Sequence, residues 1–236
     1  MKTAVCFTGQ CRSLEYTHES IKKNLLAHLG DYDIFMYISE NDSSYKSTKF
    51  LTPTEIIIEE DPILELGGIE HLQAENRGGI NGLMQMLHGM KKCNDMRKEF
   101  ENKNNFKYDR IIRSRLDVRY FNPLPSGVNQ YDIENHIYIP DFHCWSCVKG
   151  NGYNDRFAIG NRENMNIYLS EFDSIKKYAA EGHVVHAEST LYHHLNKNNV
   201  KVKNVPIRFT RIRTGGVEED AYINSPPATW DSRERC

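Results

Sequence analysis

The chain contains no apolar run long enough to cross a bilayer. Its longest are of the kind Ile56-Ile57-Ile58, against about 20 residues for a spanning helix. It also lacks a surplus of charge of either sign: 30 Lys and Arg stand against 32 Asp and Glu in 236 residues. That balance excludes the generalised basic surface of a nucleic-acid-binding protein, so any phosphate chemistry has to be local. Thr8 to Ser13 has no lysine, which argues against a Gly-Lys-Ser/Thr phosphate loop. Cysteine is sparse, at 6 residues, and hydrophobic residues make up 39%. A chain of this length buries roughly 70% of its unfolded surface without staples, so thiols are expected rather than a disulfide framework. The N-terminal Met1 to Phe7 turns polar at Thr8-Gly9-Gln10 before a signal-peptide core forms, which predicts a cytoplasmic protein, free or peripherally attached to a membrane.

Lys2 to Phe7 reads as a buried strand, Tyr16 to Leu29 as an amphipathic helix with Ile21, Leu25, Leu26 and Leu29 on one face, and Tyr32 to Ile38 as a second strand. A β-α-β opening of this kind favours a right-handed crossover and a parallel sheet. A polar loop, Ser39 to Lys49, precedes a third strand at Thr54 to Glu60. Leu83, Met84, Leu87, Met90, Cys93, Met96 and Phe100 recur at helical spacing, predicting the longest helix over 80–100, packed on the sheet. Tyr108 to Arg113 and His136 to Ile139 are further strands, the latter stopped by Pro140. A loop at Phe142 to Asn154 leads into Asp155 to Gly160. Asn161 caps a helix reaching about Tyr178, another helix spans Glu188 to Leu195, and Val200 to Phe209 alternates as a late strand. One domain is expected over 1–236, with a nucleotide-binding half at 1–120, an acceptor-side half at 121–214 and a loosely held tail at 215–236, where Pro226-Pro227 lies.

Ligands of open α/β sheets sit beyond the carboxyl ends of the strands, and this rule gathers the unusual polar residues. Gly9, Gln10 and Arg12 follow the first strand; Arg113, Arg115 and Asp117 end the fourth; Asn154-Asp155 precedes Phe157. A glycine lets backbone N–H groups approach a phosphate, and an arginine offers its oxygens a bidentate fork. Arg113 and Arg115, two apart on an apolar strand, share a face and need anionic partners if buried. Those partners are either a nucleotide diphosphate or Asp117 and Asp109 within the protein. A carboxylate at such a strand end also suits a divalent cation bridging phosphates.

Four blocks then carry a family resemblance: Phe7-Thr8-Gly9-Gln10-Cys11-Arg12, Tyr108 to Val118, Asn154 to Gly160, and Glu188-Ser189-Thr190-Leu191. In order and over nearly the whole chain they resemble the successive blocks of small GT-A-type glycosyltransferases of bacteria and large DNA viruses. The resemblance implies an α/β, GT-A-like (Rossmann-like) fold, with a mixed, mostly parallel central sheet flanked by helices. It implies transfer of a sugar from a nucleoside-diphosphate sugar to a hydroxyl of a glycan or glycoconjugate acceptor. Thr8, Gly9, Gln10, Arg12, Arg113, Arg115 and Asp117 would bind the donor, Asp117 would hold a divalent cation (Mn2+ or Mg2+), and Asp155 or Glu188 would be the acceptor-side carboxylate. Where many such enzymes carry Asp-x-Asp, this chain has Arg115-Leu116-Asp117, so Arg115 itself offers charge neutralisation.

Other readings stay open. Asp155 also reads as a turn cap and Glu188 as a helix-start charge answered by the macrodipole. Cys144-Trp145-Ser146-Cys147 has knuckle spacing, with His143, His183 and His186 as conceivable further ligands, but no second cysteine pair stands nearby. Arg208, Arg211 and Arg213 read as a solvated edge or as a second phosphate clamp. A sulfo- or phosphotransferase and a non-catalytic nucleotide-sugar-binding module are the competing functions.

Overall fold

The computed structural model describes residues 1–40, 45–65, 67–69, 79–126, 131–144 and 152–219. Nine strands and five α-helices follow in the order β1 (Lys2–Thr8), α1 (Leu14–Asn24), β2 (Asp31–Ser39), β3 (Glu55–Glu59), α2 (Gly79–Lys103), β4 (Arg110–Arg115), β5 (Val118–Tyr120), β6 (His136–Pro140), β7 (Phe157–Gly160), α3 (Arg162–Tyr168), α4 (Ile175–Ala180), α5 (Ala187–Lys197), β8 (Lys201–Val205) and β9 (Phe209–Arg211) among the described residues. Seven strands make one sheet in the order β3-β2-β1-β4-β7-β6-β8. β1, β2, β3 and β4 run parallel, β7 is antiparallel to both its neighbours, and β6 pairs with β8 in parallel. The fold is thus α/β with a mixed, mostly parallel central sheet. None of its helices is long and apolar enough to cross a membrane, among the described residues.

Alternation along β1 explains the layering. Val5 and Phe7 join one core with Leu14 and Ile21 of α1, Ile34 and Met36 of β2, and Ile112 of β4. Ala4 and Cys6 face the other way, onto Leu83, Met84, Leu87, Met90 and Cys93 of α2. A strand covered on both faces needs apolar side chains at every position, which is why β1 reads as a continuous run. α2 lies close on the sheet at Gly89, where a Cβ would come within 2.9 Å of the Tyr37 ring. β5 and β9 form a small antiparallel sheet, bringing the end of the chain back to the residues after β4.

The structure corrects several expectations. The helix expected over 162–178 begins at its Asn161 cap, whose side chain accepts from the Asn164 N–H at 2.8 Å. It then divides into α3, a 3-10 turn at Glu171–Ser174, and α4, where the Glu171 carboxyl turns into the protein. The late strand divides into β8 and β9 at Pro206, which has no N–H to donate to a ladder. Cys6, Cys11 and Cys93 are thiols as expected, but Cys144 is disulfide-bonded; composition alone carries no information on which sulfurs meet. Cys147, Trp145 and the tail from 220 with Pro226-Pro227 lie outside the described residues.

Candidate functional site

From β1 the chain steps outward through β2 to β3 and then returns to the other side of β1 at β4. Such a reversal opens a crevice beyond the strands' carboxyl ends. Thr8 pairs with Arg115 in register, so the turn after β1 and the turn after β4 leave the sheet side by side. Gly9 makes the first turn at φ +114, a conformation that side chains strain to adopt. The two turns meet where Arg12 Nη2 lies 3.8 Å from Asp117 Oδ2. Arg115 grips the same carboxylate bidentately, Nε to Oδ1 at 2.7 Å and Nη2 to Oδ2 at 2.9 Å. Thr8, Gly9, Arg12, Arg113, Arg115 and Asp117 therefore share one end of the sheet. Gln10 stands exposed at the turn.

Asp117 is 2% exposed. Burial works to raise its pKa, but the charge and hydrogen bonds of Arg115, followed by Arg12 and Arg211, hold the carboxyl well below its ordinary range. Arg115 gains reciprocally: burial opposes its charge and Asp117 overcomes that. These contacts make Asp117 a poor fit for the divalent cation expected there. Both oxygens already accept from a guanidinium, and the surrounding arginines repel a second cation. No chemical step is therefore assigned to a metal at Asp117.

Asp155 and Glu188, expected as alternatives, are instead neighbours. The Tyr153 N–H donates to the Glu188 carbonyl at 3.1 Å, tying the segment before β7 to the first turn of α5, while Asn154 fixes that segment through Phe142 O at 2.7 Å and the Arg156 N–H at 2.9 Å. Burial pushes the Glu188 carboxyl up, the Asp155 charge adds to this, and the result is about 8. A helix start stabilises a carboxylate by about 0.3–1 kcal/mol, whereas each pKa unit is worth about 1.4 kcal/mol, so burial outweighs the macrodipole. Asp155 moves the other way: burial opposes its charge, but Arg156, then Arg113, Arg115 and Arg211, hold it ionised. Two neighbouring carboxyls with pKa values driven apart are the usual arrangement of an acid/base pair.

Arg156, Glu171 and Glu219 were not picked out from the sequence; Thr8 and Arg113 were, and Arg211 and His143 were named there only for a second phosphate clamp and a metal knuckle. Arg211 of β9 lies by Asp117 and Asp155 and binds Glu219 at 3.2 Å, because β9 pairs with β5. Its neighbour Arg208 goes instead to Asp141 at 2.6 Å, and Arg213 to Glu219. Arg156 sits 4.0 Å from Asp155. Glu171 is buried, and burial followed by the Asp155 charge raises its carboxyl well above the ordinary value. His143 adopts φ +52, and burial with Arg156 and Arg211 lowers its pKa to about 2. Arg113 is 0% exposed, and none of its three guanidinium nitrogens has a hydrogen-bond partner among the described residues. The Thr8 hydroxyl is likewise buried and unpartnered there. Buried polar groups normally have partners, and a buried guanidinium without one is costly. Arg12, Arg113, Arg115, Arg156 and Arg211 thus gather around the carboxylates of Asp117, Asp155 and Glu219.

The chain belongs to the family described as Domain of unknown function (DUF7796), whose model matches residues 1–218. No curated protein matches it.

Proposed function

We infer that this member of the family is a GT-A-type glycosyltransferase that takes a nucleoside-diphosphate sugar at the β1–β4 crevice and passes the sugar to a hydroxyl acceptor on a glycan. The observation that carries the reading is the meeting of Arg12 with Asp117 at the switch point of the sheet, within a cluster of arginines. A diphosphate needs two or more neutralising groups, and a planar guanidinium fork suits its oxygens. Arg12, partly exposed, is the first to meet the ligand, with Arg115 behind it.

In this reading Glu188 is the general base. A base with a pKa near the working pH combines ionisation with proton affinity, and about 8 satisfies that better than the strongly ionised Asp155. The acceptor hydroxyl gives its proton to a Glu188 carboxylate oxygen while its own oxygen bonds the anomeric carbon. The bond from that carbon to the diphosphate breaks, and the electron pair leaves with the diphosphate, whose charge the arginines stabilise.

A second reading, a nucleotide-sugar-binding module, is favoured by the closed Arg115–Asp117 pair, which resembles a structural ion pair. A thermal-shift series over UDP, GDP, CDP and adenosine nucleotides, followed by hydrolysis of the sugar adduct of whichever nucleotide stabilises, separates the two. Turnover lost in Glu188→Gln supports the transferase. Binding with no turnover leaves the module, and stabilisation by none of the nucleotides removes both.

A further inference from the structure

Away from the crevice, the end of α4 meets the middle of α5 in a cluster that the proposed reaction does not use. Glu181, His183 and His193 each offer a ligand atom, all within 4.8 Å of one another. We propose that these three side chains bind a divalent transition-metal ion of the zinc type, joining the end of α4 to α5. The backbone sets the first two: α4 ends at Ala180 and the chain leaves it through Gly182, φ +85, with the Gly182 N–H donating to Ala179 O and the His183 N–H to Tyr178 O, each at 3.0 Å. This left-handed exit is a fixed helix end. It brings His183 Nε2 to 3.9 Å from Glu181 Oε2 and the His183 ring to 3.6 Å from that of His193, centroid to centroid.

His193 is the anchor. Its Nε2 is buried and has no hydrogen-bond partner among the described residues, and the Tyr178 ring meets its edge at 4.5 Å, fixing its orientation. Two imidazoles and one carboxylate suit Zn2+, Ni2+ or Cu2+ rather than Mg2+ or Ca2+, which prefer all-oxygen sets. Three protein ligands leave a position for water. Lys197 is the competitor: its Nζ lies 2.7 Å from Glu181 Oε2, so a metal takes the carboxylate at the lysine's expense.

The test uses full-length protein stripped with chelator and titrated with Zn2+ alone, read by calorimetry and by Tm. One ion per chain is expected, with a Tm rise of about 5–10 °C at a hundredfold excess over Kd and little response to Mg2+. His183→Ala, at an exposed position, and His193→Ala each remove the tight binding, and Lys197→Ala strengthens it. No zinc binding, or binding of unchanged affinity in both histidine variants, overturns the proposal. Nucleotide binding at the crevice does not enter this readout, so the site stands or falls separately from the reading of the reaction.

Discussion

Replacing Glu188 by Gln should change how stability depends on pH. The folded protein holds the Glu188 proton up to about pH 8, against an ordinary value of 4.5. A raised folded pKa stabilises the protein fully below the unfolded value, and that stability is lost as pH climbs through the folded one. Inside this window the loss is about 1.4 kcal/mol per pH unit for one proton. Histidines with lowered pKa values, His143, His88, His193 and His194, act oppositely, adding stability as pH rises towards 6.5, so the clean interval is pH 6.5 to 8. Glu171 has the same sign as Glu188 and remains in both proteins. The wild type should therefore lose roughly 2 kcal/mol more than Glu188→Gln across that interval, a difference of about 1 M in urea midpoint. Urea denaturation at half-unit pH steps measures it. Parallel curves for the two proteins would refute the idea that Glu188 is protonated by burial.

Arg113→Met removes a buried charge that has no hydrogen-bond partner among the described residues and should leave stability unchanged or raise it by about 1–3 kcal/mol; a large loss in Tm would mean the guanidinium is paired after all. Glu101 and Arg97 are both 0% exposed and meet at 2.8 Å, with Arg162 adding a contact at 3.0 Å. Glu101→Ala should accordingly cost about 3–5 kcal/mol by stranding Arg97, measured by denaturation. Gly89→Ala pushes a methyl to 2.9 Å from the Tyr37 ring and should cost about 1–3 kcal/mol through overpacking, despite alanine's better helix propensity.

Local rules carried the reading furthest where one element decides its own environment. β1 and β2 are covered on both faces, so their apolar runs announce them, and the spacing of Leu83, Met84, Leu87 and Met90 announces α2. The switch-point rule likewise gathers Arg12, Arg115 and Asp117 before any coordinates. The rest depends on non-local pairing. Arg211 reaches the crevice only because β9 pairs with β5, a three-residue strand too short to show periodicity. Glu188 reads as an acceptor-side carboxylate or a helix-start charge until burial and Asp155 are known, and Glu171 reads as one more polar residue on a continuous helix. Asp117 has the chemistry of a metal ligand in sequence, and only its geometry reveals that Arg115 has taken both oxygens.

The most direct test is titration of the stabilising nucleoside diphosphate into wild type and Arg12→Ala with chelator present throughout. An arginine-lined crevice predicts binding that persists without divalent ions and is lost or weakened at least tenfold in the variant. Absolute dependence on Mn2+ or Mg2+, or an affinity indifferent to Arg12, would contradict it.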